Sequence, residues 1–127
     1  MATEFAVDEQ SIDETRHVLA VSGEIDLFTA PELREVLGDC IDAGRTRIVV
    51  DLTETTFVDS TALGVLLGGF KRLRAREGTL AIVNVDETIT RTFEITGLDQ
   101  IFTIASSRDD AIAALDAPAE QGAEPTR

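Results

Sequence analysis

The sequence predicts an α/β domain: a small mixed β-sheet of about four to five strands with about four α-helices packed beside it. Three observations carry this. From residue 47 onward, short β-branched runs alternate with segments of helical period, the pattern of parallel strands joined by crossover helices. Ahead of them, two strand-like segments lie close in sequence, which adds an antiparallel edge. Finally, 127 residues suit one domain, and a 43% hydrophobic share supplies a core.

Taken in order, residues 5–7 (FAV) and 17–22 (HVLAVS) alternate as strands do, and Gly23 is expected to end the second. A helix start follows. Thr29 is a capping residue, Pro31 lies in the first turn, and Glu32 stands three residues after Thr29, as in a capping box. Ala30, Leu33, Val36, Leu37, Cys40 and Ile41 then share one helical face, and Gly44 stops the helix. Residues 47–52 (RIVVDL) read as a strand covered on both faces, with the polar TETT as a lead into the next helix. There Leu63, Leu66, Leu67, Phe70 and Leu73 recur at helical spacing until Gly78. Residues 79–85 (TLAIVNV) form the next buried strand. A third helix covers residues 87–96, with Ile89 and Phe93 inward and Gly97 as its stop. Residues 101–104 (IFTI) make a short strand, and Ser107 caps a last helix through Leu115, with Ile112 and Leu115 inward. The single domain therefore spans residues 1–116. Residues 117–127 lack periodicity and are expected to be a disordered acidic tail.

Composition narrows the function. A formal net charge of -13 argues against nucleic acid, whose phosphates are bound by clustered Lys and Arg. The only lysine is Lys71, followed by Arg72, Arg74 and Arg76. The acidity suits encounter with a basic protein surface, or serves solubility alone. No apolar run approaches the roughly 20 residues of a membrane span. The acidic start, MATEFAVDEQ, lacks a signal-peptide pattern, so cytoplasmic residence without a membrane is expected. The lone Cys40 excludes an intramolecular disulfide and any cysteine-rich zinc site, and its inward position makes it a core residue. Cofactors and metals are expected to be absent.

The stretch FVDSTALG, residues 57–64, concentrates the chemistry. Ser60 precedes an apolar-periodic helix and reads first as its cap, worth about 1 kcal/mol. A cap serine stands where backbone N–H groups point outward, so a phosphate fits there. A nucleophilic serine would need a base, and the only histidine, His17, opens a distant strand; no G-x-S-x-G surrounds Ser60. No catalytic residue is assigned. Asp51, Glu54 and Asp59 are expected near one strand end, where a solvated acidic loop is preferred over a magnesium site. A phosphoacceptor Asp51 of a receiver domain would call for a lysine after the last strand, whereas Lys71 lies in the middle helix. Gly64, Gly68 and Gly69 each cost a helix about 1 kcal/mol relative to alanine. Gly64 and Gly68 share a face, which points to a close approach, either by the protein's own sheet or by a partner. GVLLGGFK lacks the spacing of a phosphate loop.

Three segments carry a resemblance: GEIDLFTAPELREVL, IVVDLTETTFVDSTALGVLLGGFKRL and RTFEITGLDQIFTI. Together they resemble the anti-sigma factor antagonist family, the STAS domain, over residues 5–115. The run Asp59-Ser60-Thr61-Ala62-Leu63-Gly64 and the run Phe93-Glu94-Ile95-Thr96-Gly97-Leu98, in this order, are the specific elements. Ala62 departs from the glycine usual there, a small change in a helix.

The resemblance implies a STAS-like fold and a partner switch. In that scheme the unphosphorylated antagonist binds an anti-sigma factor that is also a serine kinase, and the sigma factor is released. Phosphorylation of the serine after the motif aspartate ends binding, and a phosphoserine phosphatase resets it. Carried over, the acceptor is Ser60, with Thr61 as the secondary hydroxyl. The partner-binding set is Asp26, Asp59, Ser60, Thr61, Gly64 and Gly68, in a monomer or weak dimer. The alternatives are a scaffold or sensory STAS module of a larger assembly, or a nucleotide-binding STAS protein.

Overall fold

The computed structural model describes residues 4–116; the expected acidic tail, residues 117–127, lies outside the described residues. Its elements run β1 (Ala6–Ser11), β2 (Arg16–Ile25), α1 (Ala30–Asp42), β3 (Arg47–Val58), α2 (Ser60–Ala75), β4 (Thr79–Val83), α3 (Glu87–Thr96), a 3-10 turn (Leu98–Gln100), β5 (Thr103–Ala105) and α4 (Arg108–Leu115). The five strands lie in chain order; β1 pairs antiparallel with β2, and every later pair is parallel. This is the mixed α/β sheet with four helices that the sequence predicts.

Sequential parallel strands joined by crossovers of one hand place their helices on one face. Accordingly α1, α2 and α3 cover the face carrying Leu19, Val21, Ile48, Val50, Leu80 and Ile82. The opposite face, with Val18, Val49, Ala81 and Val83, is covered by Ala111 and Leu115 of α4. That two-sided burial explains the unbroken apolar run of β3. Ile112, expected inward, is only partly buried beside this second cluster. Phe102 links the last connection to the larger core, meeting Phe70 and Phe93 edge to face at centroid distances of 5.4 and 6.0 Å.

Several boundaries differ from expectation. Gly23 does not end β2. With φ 86° it is a point of register shift, and the strand continues to Ile25. TETT is not a lead-in: β3 runs twelve residues, and Glu54, Thr55, Phe57 and Val58 pair with Ser22, Gly23, Glu24 and Ile25. The buried Thr55 hydroxyl donates to the Val21 carbonyl at 2.8 Å, which anchors this extension. Thr29 precedes α1 without capping it, because its hydroxyl donates to the Glu24 carbonyl (2.8 Å) and accepts from the Asp26 N–H (2.9 Å). The stop of α3 is as expected: Gly97 adopts φ 77°, a left-handed conformation that favours glycine.

Candidate functional site

The parallel pairing of β2 with β3 brings their C-terminal ends side by side. Ile25 faces Val58, and the Asp59 N–H donates to the Ile25 carbonyl at 3.2 Å. The residues that follow, Asp26 on one chain segment and Asp59-Ser60 on the other, therefore meet at one rim of the sheet. Asp26 and Asp59-Ser60 were both expected there.

Asp59, not Ser60, caps α2. Asp59 is extended (φ -110°, ψ -173°), and its Oδ1 accepts the Ala62 N–H at 3.0 Å. Both residue types are good caps, so composition alone could not place the boundary. The consequence is chemical: Ser60 becomes the first helical residue, exposed, with its hydroxyl making no hydrogen bond among the described residues. Thr61 is half-buried.

Asp26 is half-buried, and its Oδ1 accepts the N–H groups of Phe28 (2.9 Å) and Thr29 (3.1 Å). It thus shapes the loop before α1. That loop displays two large apolar side chains, Leu27 at 63% and Phe28 at 86% exposure; Phe57, on the last turn of strand before the motif, is 48% exposed. Leu27 and Phe28 escaped the sequence reading. Their signal was available: two large apolar residues just ahead of a helix start, belonging to neither a strand alternation nor a helical face.

The glycines divide. Gly69 is the internal close approach, since a Cβ there would run into Leu37 of α1. Gly64 and Gly68 are exposed, and a Cβ at either would meet no other atom within 4 Å. Packing on the protein's own sheet therefore does not account for them. They line an open groove of about 320 Å³ between α1 and α2, together with Arg34, Leu37, Ile41 and Arg72. The groove leads along α2 away from Ser60.

The expected acidic cluster does not form. Asp51 lies eight residues before Asp59 on an extended strand, roughly 26 Å away. Its carboxylate accepts two guanidinium bonds from Arg108 at 2.8 and 3.1 Å, and the Thr53 hydroxyl and N–H at 2.5 and 3.0 Å. Burial pushes the Asp51 carboxyl up, but the Thr53 and Arg108 bonds outweigh it and hold the group below its ordinary value. The local charge beside Ser60 is that of Asp59 and Asp26. Cys40 is core, as expected: burial first, then the Glu9 carboxylate, push its thiol up to about 12, so on its own it stands as a neutral thiol at neutral pH.

The model of the STAS domain family matches residues 7–111. The chain is 41% identical over 92 residues to the anti-sigma-B factor antagonist of Listeria monocytogenes, covering 72% of this chain and 81% of that protein. Its fold is similar to that of an anti-sigma factor antagonist from Mycobacterium paratuberculosis, with TM-score 0.83, 29% identity, and coverage of 90% and 96%. The phosphorylated form of the Bacillus cell fate determinant SpoIIAA matches with TM-score 0.68 over 86% of this chain and 98% of that one; at 23% identity this bears on the fold alone. The chain belongs to the STAS domain family.

Proposed function

Because the chain is a STAS domain, we propose that it is an anti-sigma factor antagonist switched by phosphorylation at Ser60. The unphosphorylated chain binds an anti-sigma factor with serine kinase activity and releases the sigma factor. That partner transfers the γ-phosphoryl group of ATP to the Ser60 oxygen, and a phosphoserine phosphatase removes it. The chain itself is a binder and phosphoacceptor, not a catalyst.

The observation that carries this reading is the exposed hydroxyl of Ser60 at the first position of α2, without a hydrogen-bond partner among the described residues, with Asp59 already serving as the cap. Phosphorylation there removes no structural hydrogen bond, and the N-terminal dipole of α2 favours the new charge locally. The fold therefore survives modification. An interface does not. A phosphate adds about -1.5 to -2 charges beside Asp59, on a chain of net charge -13. The basic residues of the same helix, Lys71 and Arg72, lie about three turns away. A partner seated on the rim must desolvate the phosphate with no cation on the first turns of α2, residues 60–70, to pair it, and it is expelled.

The rim supplies the rest of a docking surface. Leu27, Phe28 and Phe57 offer apolar anchors, and Gly64 and Gly68 let a partner's backbone approach α2. Intact mass after incubation with the cognate anti-sigma kinase and ATP tests the acceptor. One phosphate is expected on the wild type and none on Ser60→Ala. Ser60→Ala should bind the partner constitutively and Ser60→Asp poorly. Phosphate gained at another residue would overturn the assignment of Ser60.

A further inference from the structure

We propose that Glu9, His17 and Cys40 form a binding site for a divalent transition-metal ion, with zinc as the ion the donor set fits best. The three residues lie 8 and 23 positions apart, and only the fold assembles them. In the β1–β2 ladder Ser11 faces His17 and Glu9 faces Leu19, so Glu9 and His17 stand diagonally on one sheet face. Cys40 comes down on that face from the last turns of α1.

The spacing is that of a coordination shell. His17 Nε2 lies 3.0 Å from Glu9 Oε1, and Cys40 Sγ lies 3.5 Å from the same oxygen. All three donor atoms fall within 4.8 Å of one another. Tetrahedral zinc, with bonds of about 2.0 Å to nitrogen and oxygen and about 2.3 Å to sulfur, has edges of roughly 3.3 Å between nitrogen and oxygen and 3.5 Å between sulfur and either of them. The two separations from Glu9 Oε1 need at most a few tenths of an ångström of adjustment, and the His17 and Cys40 donors, within 4.8 Å of each other, close the third edge by side-chain rotation.

The donor chemistry agrees. A thiolate, an imidazole and a carboxylate suit zinc and exclude the all-oxygen shells of magnesium and calcium. Two ligand charges offset a divalent ion, while Asp39 and Arg45, which line the same open cavity of about 160 Å³, roughly cancel. The cavity gives the ion an entry and leaves room for water as a fourth ligand. The buried His17, 6% exposed, is not otherwise engaged by the core. Its Nδ1 is the one buried side-chain polar atom without a partner among the described residues. That lack of an outer acceptor points to a site weaker than closed structural zinc centres. On binding, the Cys40 proton leaves to solvent as the sulfur–metal bond forms.

The site lies apart from the switch. His17 is the second residue of β2, whereas Asp26 follows its end, nine residues on and roughly 30 Å away. A bound ion would tie β1, β2 and α1 together at the far end of the sheet.

The chain has one cysteine and one histidine, so spectroscopy is unambiguous. The untagged, reduced, metal-stripped full chain is titrated with Co²⁺. One equivalent should bind with a thiolate-to-cobalt charge-transfer band and the intense visible bands of tetrahedral cobalt, and Zn²⁺ should displace it. Cys40→Ser should lose the charge-transfer band. His17→Gln and Glu9→Gln should each weaken Zn²⁺ binding about tenfold or more. Zn²⁺ should raise the melting temperature of the wild type and not of Cys40→Ser, and far-ultraviolet circular dichroism shows which variants are folded. Absence of the band at millimolar Co²⁺ would overturn the site. So would equal Zn²⁺ binding by the wild type and by folded Cys40→Ser and His17→Gln, which would place the ions on the acidic surface.

Discussion

Replacing Gly64 and Gly68 by alanine should stabilise the fold while weakening the partner complex. In a helix interior, glycine is about 0.8–1.0 kcal/mol less favourable than alanine. Both positions are exposed, and an added Cβ meets no atom within 4 Å, so no steric term opposes the gain. Each substitution should add about 1 kcal/mol. With an unfolding entropy of about 2.1 cal/mol/K per residue over residues 4–116, 1 kcal/mol corresponds to about 4 °C in melting temperature. The double variant should melt about 8 °C higher. Gly69→Ala is the control within the same helix. It has the same propensity gain, but its Cβ runs into the buried Leu37 side chain, which must shift from its packed position. It should lose stability. The assays are thermal unfolding followed by circular dichroism and calorimetric titration with the anti-sigma factor. If the two exposed substitutions destabilise, the groove between α1 and α2 is not open as described. If they stabilise and leave partner affinity unchanged, the glycines are not an approach surface, and their place on the docking face is refuted.

Asp59→Ala should cost about 1 kcal/mol of stability through loss of the α2 cap, whereas Asp59→Asn should cost a few tenths, because asparagine caps as well; equal losses in urea denaturation would show that charge, not capping, is the contribution. Arg108→Ala should cost about 1–2 kcal/mol at pH 7, as the Asp51 carboxylate, 9% exposed, loses two charged hydrogen bonds. Asp51 is held below its ordinary value, so its contribution is present above about pH 3.8 and is lost as pH falls through its lowered value. Denaturation curves of Arg108→Ala and wild type should therefore converge below pH 3.8, and a constant gap would refute the pairing.

What was legible followed from how local each cause is. The stop of α3 at Gly97 and the Ser107 cap, whose oxygen accepts the Asp110 N–H at 3.1 Å, depend on residues within a turn of themselves, and both were read correctly. The twelve-residue length of β3 was not legible, because TETTFV is held by β2 thirty residues earlier. Its threonines are β-branched and strand-competent, but polar enough to pass for a loop. The Ser60 cap was misplaced by one residue, because both Asp59 and Ser60 can cap and only the turn of the chain at Val58 decides between them. That single residue matters to the mechanism. Had Ser60 been the cap, phosphorylation would have removed the bond that starts α2, and the switch would act by unravelling a helix. With Asp59 as the cap, the helix keeps its start, and in the proposed switch a phosphate on Ser60 would alter only what can sit on the rim. The circular dichroism of the phosphorylated chain should then match that of the unmodified one, while binding to the anti-sigma factor is lost.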